Sequence, residues 1–178
     1  MRYADGMNIV LIGYRGSGKS AVGQALAAQL GWPLIDTDTL IEQRAGTSIR
    51  EIFSQRGEMA FRDLETQVIA DLAPLDAHII SAGGGAVLRP ANVQTLRPNG
   101  KFVWLTAPPE VLRARMTADT GTTENRPNLT AAGGLAEIRQ VLTQREPIYR
   151  QVADFTVDTT HDSIEDVAQR IILHWQLK

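Results

Sequence analysis

The sequence contains no cysteine. That excludes disulfides, thiolate-bound zinc, iron–sulfur clusters and thiol catalysis, and it suits a reducing compartment. Lysine is almost as scarce: Lys19, Lys101 and Lys178 stand against 15 arginines. No apolar run approaches the roughly 20 residues that a membrane span requires. The short apolar run at residues 9–12 ends at Gly13, too soon for the core of a signal peptide. Charge is nearly balanced, with 18 Lys+Arg against 20 Asp+Glu, so the basic excess of a general nucleic-acid binder is missing. These absences predict a cytoplasmic protein with no nucleic-acid or membrane partner. A length of 178 residues predicts a single domain over 1–178.

What is present alternates. Short β-branched runs at Asn8–Ile12, Leu34–Asp36, 78–81, 101–106 and 154–157 read as buried strands. Between them lie helical periods: Val22, Leu26 and Leu30; Phe61, Leu64, Val68 and Leu72; Ile164, Val167, Ile171 and Trp175. Ser48 with Glu51, and Ser163 with Asp166, have the spacing of helix N-terminal caps. Gly31, Gly57 and Pro74 sit where helices are expected to stop. Strands alternating with helices predict an α/β fold: a five-stranded parallel sheet flanked by helices on both faces. The segment 117–134 departs from this pattern. It is polar, rich in Thr, Gly and Asn, and reads as a loop over a site.

The strongest motif is Gly13-Tyr14-Arg15-Gly16-Ser17-Gly18-Lys19-Ser20, placed after the first strand and before a helix expected at 21–30. It matches the phosphate-binding loop G-x-x-x-x-G-K-[ST]. The glycines let backbone N–H groups turn inward around a phosphate chain, and the helix N-terminus adds about half a positive charge. Lys19 reaches the β- and γ-phosphates, and the Ser20 hydroxyl is suited to Mg²⁺. ATPases, GTPases and small-molecule kinases share this loop, so it fixes the ligand class and not the reaction.

Four further patterns bear on the reaction. Asp36 and Asp38 follow the second strand, at the sheet end where ligands bind in such folds. If the chain turns there, one carboxylate can support a metal through water and the other can take a proton from a hydroxyl. Arg62 and Glu65, three apart, are neighbours on one helix face. They read either as a surface ion pair or as an arginine held in place to grip a carboxylate. Gly83, Gly84 and Gly85 follow the third strand and offer bare backbone to a ligand. Arg145-x-Pro147-x-Tyr149 closes a helix that begins near Leu135, with Pro147 expected to distort or end it.

Taken together and in this order, these elements resemble the shikimate kinase family. The resemblance spans nearly the whole chain and rests on residues 13–20, Asp36-Thr37-Asp38, Phe61-Arg62-x-x-Glu65, the triplet Gly83, Gly84 and Gly85, Arg126-Pro127 and Arg145-x-Pro147-x-Tyr149. It implies a P-loop kinase fold like that of nucleoside monophosphate kinases. A substrate-binding helical region falls at about 36–65 and a lid at about 113–130. It also implies transfer of the γ-phosphate of ATP to the 3-hydroxyl of shikimate, with one Mg²⁺, in a monomer. By that resemblance Gly13, Arg15, Gly16, Ser17, Gly18, Lys19, Ser20 and Arg126 bind ATP, and Ser20 and Asp36 attend the metal. Asp38, Arg62, Gly83, Gly84, Gly85 and Arg145 bind shikimate, within walls made by Phe53 and Phe61. Asp38, Lys19 and Arg126 carry the catalysis. The family's usual Arg-Pro-Leu-Leu in the lid reads Arg126-Pro127-Asn128-Leu129 here. No basic residue stands in the usual place after the last strand, where Thr160 and His161 are the expected adenine contacts. Gluconate kinases share the phosphate loop and the demand for a carboxylate grip. Phe61-Arg62-x-x-Glu65 and the glycine triplet favour shikimate over that alternative.

Overall fold

The computed structural model describes residues 7–118 and 133–177. Among these lie five strands: β1 (Asn8–Ile12), β2 (Leu34–Asp36), β3 (Ile79–Ser81), β4 (Gly100–Thr106) and β5 (Phe155–Asp158). Seven α-helices accompany them: α1 (Lys19–Leu30), α2 (Thr37–Ala45), α3 (Ile49–Leu72), α4 (Pro90–Leu96), α5 (Pro109–Ala118), α6 (Gly134–Val152) and α7 (Ile164–His174). The strands form one sheet in the order β2-β3-β1-β4-β5, every pairing parallel. The five expected strands are all present, each within one residue of its expected bounds.

The central strands β1, β3 and most of β4 are buried on both faces, which is why they read as continuous apolar runs, whereas edge strand β5 alternates, with Thr156 and Asp158 exposed. Ile9, Leu11, Val103 and Leu105 pack on one side with Val22 and Leu26 of α1 and Val167 and Ile171 of α7. Val10, Ile80, Phe102 and Trp104 pack on the other with Ile69 of α3 and Tyr149 of α6. Each large apolar side chain so buried contributes roughly 1.5–3 kcal/mol. β1 lies at the centre, hydrogen-bonded to β3 and β4. The chain first winds outward to β2 and later crosses to β4 and β5. The carboxyl end of β1 is therefore the switch point where ligands bind in open parallel sheets.

Local chemistry sets the helix ends. Ser48 caps α3 in a reciprocal box: its hydroxyl accepts the Glu51 N–H at 3.2 Å, and its own N–H donates to Glu51 Oε2 at 3.1 Å. Ser163 likewise accepts the Asp166 N–H at 3.1 Å to open α7. Three expectations shift. The first helix begins at Lys19, not Ala21, so Lys19 and Ser20 stand in its first turn. Gly57 breaks α3 for one residue, and the helix resumes directly. Pro147 does not end α6, which runs on to Val152. Pro147 itself is exposed, while Tyr149 and Val152 are buried in the core and anchor the last turn, so packing overrides the lost hydrogen bond. No described helix is long and apolar enough to cross a membrane.

Candidate active site

The phosphate loop joins β1 to α1 at the switch point. Gly18 is the N-cap of α1 and supplies no side-chain cap, so the first-turn N–H groups are not engaged by one. Lys19 Nζ donates to the carbonyls of Gly13 at 2.8 Å and Tyr14 at 3.0 Å, bracing the ammonium across the loop. Gly16, Ser17, Gly18, Lys19 and Ser20 line a cavity whose walls also include Asp36 and Asp38.

The turn after β2 separates the two aspartates by role. Asp36 is the N-cap of α2, and its Oδ1 accepts the N–H groups of Asp38 at 3.0 Å and Thr39 at 3.2 Å. Asp38 stands in the first turn of that helix, where the helix dipole favours a carboxylate. Between them, buried Thr37 accepts the Gly83 N–H on its hydroxyl at 2.9 Å. The aspartate turn and the glycine triplet, 46 residues apart, are thereby fastened together.

Side chains crowd the first and last glycines of the triplet. A Cβ on Gly83 would lie 2.7 Å from Asp38 Oδ1, and one on Gly85 would lie 2.4 Å from Arg62 Nη2. The Gly84 carbonyl accepts a hydrogen bond from the Tyr149 hydroxyl. Burial pushes the Tyr149 phenol above its ordinary 10.0, so it holds its proton as the donor; nearby Arg145 works in the opposite direction.

Arg62 and Glu65 are not a surface pair. Arg62 Nη1 donates to Glu65 Oε2 at 2.8 Å, with Glu65 fully buried. Burial raises the Glu65 carboxyl above its ordinary 4.5, and the Arg62 charge pulls it back down. Arg62 Nε and Nη2 also reach Glu58 at 3.4 Å, on the exposed side. Arg62, Arg145, Phe53 and Phe61 line a second cavity together with Asp38 and the three glycines. The Phe53 and Phe61 rings stand 4.8 Å apart in its wall. One side is thus cationic, another aromatic, and a carboxylate lies at the edge shared with the phosphate-loop cavity. That chemistry suits a small hydroxylated ring acid beside a nucleotide.

No group of three or more His, Cys, Asp and Glu able to hold a metal occurs among the described residues. Ser20 and Asp36, a hydroxyl and a carboxylate residue, nevertheless both line the phosphate-loop cavity. Hard oxygen donors in small number are what Mg²⁺ takes when phosphates and water complete its shell.

The expected lid residue Arg126, with Pro127, Asn128 and Leu129, lies outside the described residues. At the far end of the phosphate-loop cavity the wall is made by Thr159 and Asp162, not by Thr160 or His161. Thr160 instead turns back, its N–H donating to Asp158 Oδ1 at 2.8 Å. Arg115 belongs to this wall without any sequence motif marking it, its Nη1 donating to Thr159 Oγ1 at 2.9 Å. Thr159 does carry a signal: it follows β5 directly, where ligand-facing residues are expected.

A family model described as shikimate kinase matches residues 15–176. The shikimate kinase of Thiobacillus denitrificans is 44% identical over 157 residues, 88% of this chain and 84% of that protein. That of Syntrophus aciditrophicus is 39% identical over 97% of this chain and 92% of its own. Among solved structures, the shikimate kinase from Acinetobacter baumannii in complex with shikimate superposes with a TM-score of 0.87 at 36% identity, covering 97% of this chain and 96% of that one.

Proposed function

The chain belongs to the shikimate kinase family, and from that premise we propose how its residues move the γ-phosphoryl group of ATP onto the 3-hydroxyl of shikimate. Supporting the assignment above all is the cavity that brings Arg62, Arg145 and the glycine triplet to one edge of Asp38, with the phosphate loop on the other.

ATP lies along the loop from Gly13 to Ser20, its phosphates on the backbone N–H groups and on Lys19. Arg62 and Arg145 grip the shikimate carboxylate, and Glu65 fixes the fork of Arg62 in one orientation. Asp38 accepts the proton of the attacking hydroxyl. Phosphoryl transfer asks the protein mainly for alignment and charge neutralisation, and this set supplies both. A kinase that uses ATP works with a divalent cation. In this reading it is Mg²⁺, held by Ser20 directly and by Asp36 through water, and when bound it neutralises phosphate charge. Arg126 joins the phosphates from the lid segment, a role resting on its Arg-Pro motif. The enzyme acts as a monomer in the cytoplasm, and gel filtration at the mass of one chain checks the first part.

The acceptor is tested by coupled ADP release with shikimate, quinate, gluconate and nucleoside monophosphates in parallel. Shikimate is expected to give the highest kcat/KM. ADP release no faster with shikimate than without an acceptor would sink the reading.

A further inference from the structure

Among the described residues, three line both cavities: Arg15, Asp38 and Gly83. In the proposed reaction they stand where the two cavities meet. Asp38 faces the acceptor hydroxyl and Gly83 presents backbone, whereas Arg15 so far serves only as a member of the phosphate loop.

The Arg15 side chain is not a solvated one. It is 11% exposed, and its Nη2 donates to Glu137, whose carboxylate is 2% exposed. Glu137 comes from 122 residues away, in the first turn of α6, where the helix dipole favours an acid. A carboxylate so buried requires a cationic partner, and an arginine held by it loses the freedom to swing into solvent. The same helix carries Arg145 two turns further on. The phosphate loop and the carboxylate grip are thus tied through one ion pair.

A phosphoryl group in transfer spreads negative charge over three equatorial oxygens, and a planar guanidinium matches such oxygens better than an ammonium does. We propose that Arg15 acts in the transfer step: its guanidinium, held by Glu137, meets the phosphoryl group at the junction of the two cavities and offsets its charge there. The bond from phosphorus to the ADP oxygen breaks, the bond to the shikimate oxygen forms, and the hydroxyl proton goes to Asp38. Arg15 gains and loses no atom. Glu137 acts only through Arg15 and is a positioning residue. The inference rests on ATP and shikimate being the substrates.

The test compares Arg15→Met, Arg15→Lys, Glu137→Gln and the double variant Arg15→Met/Glu137→Gln by kcat, by KM for each substrate and by thermal melting. Arg15→Met is expected to lower kcat about tenfold or more, a larger change than the rise in KM for ATP. Arg15→Lys, which keeps charge but not the fork, falls between. Glu137→Gln lowers kcat less, and adds no further loss once Arg15 is already Met. The double variant removes the buried charge with its partner, so it guards against misfolding of the single one. A folded double variant with the kcat of the parent chain overturns the proposal. An undiminished effect of Glu137→Gln in the Arg15→Met background overturns the positioning role. If the double variant does not fold, Arg15→Lys decides: a kcat loss of about threefold or more supports the proposal, and a smaller loss overturns it. A parent chain that releases no shikimate-dependent ADP refutes the substrate assignment instead, before any variant is compared.

Discussion

Arg62 and Glu65 form a buried ion pair, Nη1 to Oε2 at 2.8 Å, with side chains 11% and 1% exposed. Glu65 leaves the guanidinium one orientation, facing the cavity shared with Arg145. A charge-assisted hydrogen bond contributes about 1.5–3 kcal/mol, or roughly 10- to 150-fold in affinity. Arg62→Lys is therefore expected to raise KM for shikimate by about tenfold or more, with KM for ATP unchanged. Steady-state kinetics in both substrates check it, and equal rises in the two KM values would contradict a carboxylate grip.

Glu65 also carries a pH signature. Burial raises its carboxyl above the ordinary 4.5 despite Arg62. Between the ordinary and the raised value, the folded chain binds more protons than the unfolded chain. The contribution of Glu65 to stability is therefore largest below the ordinary value, falls as pH rises through that window, and levels off above the raised value. Urea titrations of the parent chain and Glu65→Gln from about pH 4 to about pH 8 measure the difference. The parent's stability relative to the variant should decline with pH; a rise would contradict the direction of the shift.

Gly83 and Gly85 lie against different side chains of the proposed site. A Cβ on Gly83 meets Asp38, and one on Gly85 meets Arg62. Gly83→Ala is expected to lower kcat by about 100-fold, the usual cost of displacing a reacting group by an ångström. Gly85→Ala should act mainly on KM for shikimate. Kinetics of the two variants side by side provide the check; the same kcat-to-KM pattern in both would mean the triplet acts only as a hinge.

Arg126 is assigned from its motif alone. Removing a charge that stabilises a transferring phosphoryl group typically costs more than about tenfold. Arg126→Ala is expected to lose at least that in kcat, measured by ADP release at saturating substrates. Near-parental turnover would remove Arg126 from the catalytic set.

The parts of this site that were legible in the sequence are those whose partners lie close in the chain. The phosphate loop is eight consecutive residues, Asp36 and Asp38 flank one residue, and Arg62 and Glu65 share one helical turn. The central strands were legible because burial on both faces leaves continuous apolar runs, and edge strand β5 because its apolar residues alternate with exposed polar ones. What was hidden is long-range. Arg15 meets Glu137 across 122 residues, Thr37 meets Gly83 across 46, and Arg115 meets Thr159 across 44. No local pattern announces such pairs, because the fold and not the spacing brings them together. Pro147 misled for a related reason: its local penalty is real, but the burial of Tyr149 and Val152 outweighs it. Thr160 and His161 missed the cavity wall by one residue each, since the turn made on Asp158 decides which side chains face inward.

In the proposed transfer Asp38, at the edge shared by the two cavities, takes the proton while the phosphate loop binds ATP independently of it. Asp38→Asn, assayed for ADP release and titrated with ATP in parallel, tests this most directly. Turnover should fall at least about 100-fold, as expected for loss of a general base, while the dissociation constant for ATP changes by less than about threefold. Retained turnover, or loss of ATP binding to the same degree as turnover, would contradict the account.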